Sequence, residues 1–359
     1  MTESIERVEA ALLRVPLDAA MQAYGSDFVD VLLVTVTDGD GASGTGFTYT
    51  LNLGMPAVEV MVAEVLAPQI VGTSPDAWEA TNAAIRLQTR RIGPDVVVPA
   101  LSAVDIAIWD LRARRAGLPL YRLLGRGRTE VAFYGSGRSS NRLTQDDLVR
   151  GTLSYVEEGL SAVKLRIGAR SPVEDIERVR AVRAAVGDDI VLMVDANEQL
   201  SEQQATELLP GLADARIGWI EEPFPAEDVL AHARLARSTP ITVAAGEHLA
   251  APARFAEYAR ERAAGLWQPD PALAGGVTAM LQIAELAAAQ AIPVAFHSLP
   301  ELNVHLSMDD PNVTYVEHFP ILDPVLTTPI TATDGTVTAP DAPGHGIAWD
   351  RDAISRYRR

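Results

Sequence analysis

Residues 190–248 read IVLMVDANEQLSEQQATELLPGLADARIGWIEEPFPAEDVLAHARLARSTPITVAAGEH, and the same plan appears three times in them. A short apolar, β-branched run ends in an acid, a helix-forming segment follows, and another apolar run begins. The acids are Asp195, Glu221 and Glu247, spaced by 26 residues each time. Short runs that are apolar on both faces fit strands covered on both sides, and their alternation with helices predicts a parallel α/β barrel.

Working outward, strands are expected at Val131–Tyr134, Ala162–Ile167, Ile190–Val194, Ile217–Ile220, Ile241–Ala245, Leu266–Gln268, Pro293–Phe296 and Val313–Val316. Amphipathic helices such as Val173–Val186 and Val277–Ala289 lie between them. The chain before Thr129 has a different texture. It offers strands at Phe28–Val36 and Gly46–Thr50, then helical patterns near Ala57–Ile70, Ala77–Thr89 and Val97–Ala116, the last stopped by Gly117. The chain thus divides into three regions: a mixed α and β segment 1–127, the barrel 128–329, and a Gly- and Pro-punctuated tail 330–359 expected to fold back on the first. The stretch GDGASG at 39–44 matches a dinucleotide-binding pattern. It precedes a strand rather than a helix, so a hairpin turn is the better reading, and a nicotinamide-dependent oxidoreductase has no other support.

Composition narrows the classes. The 359 residues carry a formal net charge of -18 and no cysteine. Such an acidic surface repels phosphate backbones and anionic lipid, which argues against nucleic-acid and membrane partners. Without cysteine there are no disulfides, thiolate metal sites or thiol nucleophiles, and the chain suits a reducing cytoplasm. Polar Met1–Arg7 does not read as a signal peptide, and no apolar run approaches the roughly 18 residues of a membrane helix.

In α/β barrels, chemistry is carried at the C-terminal ends of the strands. There the sequence offers Lys164 and Arg166, two residues apart and so on one face, then Asp195 with Asn197, Glu221, Glu247 with His248, Asp270, His297 and Glu317. Helix capping or pairing with arginine explains any single acid well enough. Three acids on consecutive strands, followed in the same register by an aspartate and a histidine, are better explained as a site. An all-oxygen set selects a hard cation, Mg2+ with Mn2+ as a possible substitute. Asp270 beside His297 would fix one tautomer and raise the basicity of the other ring nitrogen.

Taken together these motifs resemble the enolase superfamily, mandelate racemase subgroup. The resemblance rests on Asp195, Glu221 in WIEEP, Glu247 in GEH, the Asp270–His297 pair, Lys164-x-Arg166, the helix SAVDIAIWDLRARRAGLPLYRLLG, the PDPALAGGVT stretch and Glu317. It implies a modified (β/α)7β TIM barrel capped by an α+β domain built from the N-terminal segment and the C-terminal tail. It implies Mg2+ on Asp195, Glu221 and Glu247, with the carboxylate of a small-molecule substrate bound to the metal and His297, oriented by Asp270, facing its α-carbon. Lys164 would neutralise that carboxylate, and Glu317 would donate a hydrogen bond to the enediolate. Asn197, His248 and Tyr24 would line the site, with Tyr24 in a capping loop that sets specificity. The family also suggests a homo-oligomer.

The sequence departs from the family at Arg166, where racemases carry a second lysine that serves as a base. Arginine titrates above roughly 12 and is a poor base. With His297 as the one good base, dehydration of an acid sugar, an aldonate or an aldarate, is the first expectation. Cycloisomerisation and racemisation or epimerisation stand as alternatives, and a non-catalytic carboxylate-binding metal protein stands outside the class. Specificity is expected from the loops around Tyr24 and Thr50 and from SLPELNV at 298–304.

Overall fold

The structure is a computed structural model that describes residues 4–51 and 53–359. Its first unit is a three-stranded antiparallel sheet in the order β1 (Ile5–Pro16), β2 (Phe28–Asp38) and β3 (Ser43–Thr50). β1 was not among the expected strands. Its charged residues Glu6, Arg7, Glu9 and Arg14 interrupt any clean alternation, yet it pairs with β2 along almost its whole length as an edge strand. Arg14, on that edge, pairs with the buried Asp30 of β2 at 2.8 Å.

The GDGASG stretch is the turn between β2 and β3, as expected for a hairpin. Its glycines have a packing role as well. Gly44 and the following Gly46 lie under the long helix Pro94–Arg115, and a side chain at either would overlap the backbone of Ala107 or Ala103. The helix therefore rests directly on the sheet and is buried along most of its length. The helical pattern expected at 57–70 runs as Met55–Val60, a π-helical stretch Met61–Leu66 and Ala67–Ile70.

The second unit is a closed barrel of eight parallel strands: β4 (Val131–Gly135), β5 (Ala162–Arg166), β6 (Val191–Asp195), β7 (Ile217–Glu221), β8 (Thr242–Ala245), β9 (Leu266–Trp267), β10 (Val294–Phe296) and β11 (Val313–His318). Each pairs with its sequence neighbour, and β11 pairs with β4 to close the ring. Helices occupy the seven connections, and no barrel helix follows β11, so the architecture is (β/α)7β with an α+β cap. The eight strands fall within a residue or two of the expected positions. Among the described residues no single helix is long and apolar enough to cross a membrane.

The tail joins the two units. β12 (Thr336–Val337) first adds antiparallel to the start of β4, a contact with the barrel rather than the cap. The chain then crosses to the cap: His345 Nε2 contacts the Thr45 carbonyl at 2.7 Å, and the Arg359 N–H donates to the Leu12 carbonyl at 3.0 Å. Cap and barrel also meet through Trp109, whose indole donates to Thr278 at 2.9 Å, and through buried Asp105, which accepts from Trp78 and from the Thr278 N–H.

Gly46→Ala should weaken the protein by about 1–3 kcal/mol, because a methyl forced against helix backbone is relieved only by moving the helix. A lower denaturant midpoint with an unchanged slope is the expected result. An unchanged midpoint would show that the helix does not rest on this glycine.

Candidate active site

The mouth of the barrel is shaped by the turn at the end of each strand. The backbone takes left-handed conformations at Asn197 (φ 42°) after β6, Glu222 (φ 37°) after β7 and Ser298 (φ 50°) after β10. Each such residue costs on the order of 1–3 kcal/mol and persists only where surroundings hold it, a pattern concentrated at functional sites. After β8 the chain passes through Gly246 (φ 156°), packed so closely on the backbone of Gln268 that no side chain fits.

These turns bring Asp195, Glu221 and Glu247 together, all buried, each with a carboxylate oxygen within 4.8 Å of the others'. Lys164, also buried, answers part of this charge. Its Nζ lies 2.6 Å from Glu221, 2.9 Å from Glu317 and 3.6 Å from Asp195. Arg166, one step further along β5, sets its Nε 3.0 Å from Asp195 Oδ2. The balance is incomplete. Burial together with the neighbouring carboxylates raises Glu221 to about 8 even beside Lys164. Asp195 Oδ2 and Glu247 Oε2 are buried without a hydrogen bond of good geometry. Orphaned carboxylate oxygens converging on one point are what a hard divalent cation satisfies, so this donor set fits magnesium. No ring nitrogen or sulfur belongs to the triad, which disfavours zinc.

The histidine pair is formed. His297 Nδ1–H donates to Asp270 Oδ2 at 2.8 Å, leaving Nε2 toward the acids, 2.7 Å from Glu247 Oε2 and 3.7 Å from Glu317. Burial alone would lower the imidazole's pKa. The charges of Glu247 and Glu317 and the bond to Asp270 outweigh it, and the net shift is well upward. Arg166 is likewise raised, by Asp195 and Glu247 against its burial, and so moves further from service as a base.

Both oxygens of Glu317 face donors. It accepts from the Ser298 N–H at 2.8 Å and from Lys164, which with His297 overcome the effect of burial and lower it to about 2. A cavity of about 220 Å³ opens over these groups, lined among others by Tyr24, Thr50, Arg166, Asn197, Glu247, His248 and His297. It is smaller than a typical drug-sized site and suits a small organic acid.

The three expected lining residues are present but partly committed. Asn197 Nδ2 donates to Glu247 at 2.9 Å, and Tyr24 gives its hydroxyl to the Ser136 carbonyl at 2.7 Å. His248 Nδ1 lies 2.7 Å from Glu222, whose charge raises the imidazole to about 10 despite burial. The stretch 298–304 does not line the cavity. It enters a buried helix, Pro300–Ser307, where Asn303 donates to the carbonyls of His297 and Ser298 and so braces the turn that carries His297.

Sequence reasoning missed Tyr49, Gln268 and Trp219. Tyr49 donates to Asp270 Oδ2 at 2.9 Å, while Gln268 and Trp219 donate to Glu221 Oε2 at 2.6 and 3.0 Å. Trp219 lies two residues before Glu221 on β7, on the same strand face, a signal that could have found it. Tyr49 had no local signal.

Fold and rim thus define an α/β-barrel protein with a buried oxygen cluster and a histidine–aspartate pair at one mouth. Residues 1–125 match the mandelate racemase / muconate lactonizing enzyme N-terminal domain, and residues 147–353 match the enolase C-terminal domain-like family. The chain is 35% identical over 358 residues to 3,6-anhydro-alpha-L-galactonate cycloisomerase of Streptomyces coelicolor, covering 98% of this chain and 99% of that protein. It resembles the crystal structure of a racemase from Streptomyces coelicolor with bound magnesium, at TM-score 0.94 and 34% identity, covering 99% and 100% of the two chains. It also resembles L-talarate dehydratase from Polaromonas sp. JS666 complexed with Mg and L-glucarate, at TM-score 0.91 and 31% identity, covering 100% and 98%. The chain belongs to the enolase superfamily, mandelate racemase subgroup, and is an enzyme of that superfamily.

Magnesium should raise the thermal midpoint of the protein, because a cation bound only by the folded state stabilises it by an amount that grows with the logarithm of its excess over Kd. The rise should vanish in Asp195→Asn. A wild-type midpoint that ignores millimolar Mg2+ would count against the triad as a metal site.

Proposed function

We propose that the protein removes the proton alpha to the carboxylate of an acid sugar and eliminates the oxygen on the neighbouring carbon, giving a 2-keto-3-deoxy acid. The observation that carries this reading is the pairing of one base with one fixed cation in the same cavity. His297 is oriented by Asp270, while Arg166 is bound to Asp195 and held protonated.

Asp195, Glu221 and Glu247 are the residues that would hold magnesium. Bound there, it would polarise the substrate carboxylate and offset the negative charge that grows as the α-proton leaves. Lys164 adds a second positive charge at the same place, kept protonated by Glu221 and Glu317 against the cost of burial. Glu317, as a carboxylate, holds Lys164 at one oxygen and the Ser298 backbone at the other. His297 Nε2 lies 2.7 Å from Glu247 Oε2, one of the oxygens that would hold the cation, so a bound cation would draw that oxygen away from the imidazole. His297 takes the α-proton at Nε2 and returns it to the departing β-hydroxyl, so that water leaves and the enol product tautomerises to the keto acid. Racemisation would need a second proton-transfer group, and Arg166 holds its proton too firmly for that.

The cycloisomerase relative favours a second reading on the same residues. In a 3,6-anhydro acid the β-oxygen is the ring ether. The same proton transfer would then open the ring, and the product would be an isomer with no water lost.

His297→Asn should lower kcat by about 10³-fold and abolish exchange of the α-proton with deuterated water, while magnesium binding is kept. Product mass separates the readings: loss of water supports dehydration, and an unchanged mass supports ring opening. Full α-proton exchange in His297→Asn would remove the histidine from the proposal. The freeing of Nε2 has its own readout. Magnesium should lower the His297 pKa followed by imidazole NMR, and a pKa unmoved by the metal would contradict that step.

A further inference from the structure

The three acids of the triad share a pattern in their hydrogen bonds. Asn197, in its left-handed turn, donates its backbone N–H to Asp195 Oδ1 at 2.8 Å and its side-chain amide to Glu247 Oε1 at 2.9 Å. Gln268 and Trp219 donate to Glu221 Oε2 at 2.6 and 3.0 Å. One oxygen of each acid is thus tied by uncharged N–H groups. The other oxygens are Asp195 Oδ2 and Glu247 Oε2, which lack a hydrogen bond of good geometry, and Glu221 Oε1, which accepts from Lys164 at 2.6 Å. A carboxylate offers roughly four lone-pair positions, two on each oxygen. Gln268 and Trp219 use both on Oε2, so Glu221 has a position left for a cation only at Oε1, beside Lys164.

Gln268 is fully buried, and its side chain makes one hydrogen bond among the described residues, the one to Glu221. Its own amide oxygen has no partner. Burying an unpaired amide oxygen is destabilising, and an apolar side chain would fill the same place without that cost. Packing therefore does not call for an amide here, whereas Glu221 does. A carboxylate only accepts, which turns the amide nitrogen toward it. Neither donor has much freedom to move. The Gln268 N–H donates to the Ala245 carbonyl at 3.0 Å, and the Gln268 backbone lies against Gly246. Trp219 packs on the rings of Tyr134 and Tyr315, at 5.7 and 6.1 Å between centroids.

We propose that Gln268 and Trp219 are positioning residues that hold Glu221 to a single oxygen toward the cation, and that with Asn197 they fit the triad to magnesium and against calcium. The inference rests on reading the triad as a magnesium site. Calcium takes about six to eight oxygens and readily accepts both oxygens of one carboxylate, whereas magnesium is satisfied by about six at shorter distances. Three acids restricted to one oxygen each leave calcium further from a full shell. A Glu221 released from Gln268 or Trp219 could turn and present both oxygens to the larger ion.

The test is calorimetric titration of the metal-free protein with MgCl2 and, separately, with CaCl2. Gln268→Met keeps the length of the side chain without its amide, and Trp219→Phe keeps an aromatic ring without its N–H. Wild type should bind Mg2+ more tightly than Ca2+. Each variant should lose about 10–100-fold in Mg2+ affinity and clearly less in Ca2+ affinity, so that the preference narrows. Equal losses for both ions would mark a merely structural role and overturn the inference. Unchanged affinities, or a wild type that favours Ca2+, would overturn it too. Should Gln268→Met fail to fold, Trp219→Phe carries the same comparison. A wild type that binds neither ion would overturn the triad reading itself. Mg2+ binding that is lost in Asp195→Asn but untouched in both variants would overturn this inference alone.

Discussion

Four carboxylates and one lysine share a volume from which water is nearly excluded. Asp195, Glu221, Glu247 and Glu317 all surround the mouth of the barrel, and Lys164 touches three of them. At the separations seen here, like charges in a medium of low dielectric repel by amounts comparable to the whole stability of a domain. The fold can hold such a cluster only because strands fixed by the barrel ladder carry it and because cations enter it. This constraint accounts for the buried position of Lys164, the orientation of Arg166, and the orphaned oxygens that invite a divalent ion.

The same constraint links the cap to the chemistry. Asp270 would add another negative charge to the mouth, but its oxygens are taken by His297, Tyr49 and the Ala272 N–H. Tyr49 lies at the end of the cap sheet, so docking the cap completes the surroundings of the Asp270–His297 pair. Tyr24 and Thr50 reach the cavity from the same unit. The groups proposed to transfer protons belong to the barrel, and the cap supplies Tyr24, Tyr49, Thr50 and Leu51 to the cavity lining.

Much of the site could be read in the sequence because each strand is short and ends in an acid. An apolar run closed by a charged residue tells where the strand stops, and barrel order tells which ends are neighbours. Thus Asp195, Glu221 and Glu247, spread over 53 consecutive residues, were legible as one cluster, and so was the Asp270–His297 pair. β1 was not legible, because its charged residues belong to an edge strand and blur the two-residue alternation. Tyr49 was not legible because its partner is 221 residues away. The partners of Glu317 were not legible for a related reason: Lys164 and the Ser298 backbone are two groups that no local pattern assigns to it.

The sequence by itself determined the barrel, the identity of the acids, and the replacement of a basic lysine by Arg166, since each of these comes from residue type and period along the chain. The tertiary structure alone decided which charges neutralise which and which polar groups are already spent. Those outcomes depend on distances between groups that the chain keeps far apart, and electrostatic and packing energies are set by such distances, not by order in sequence.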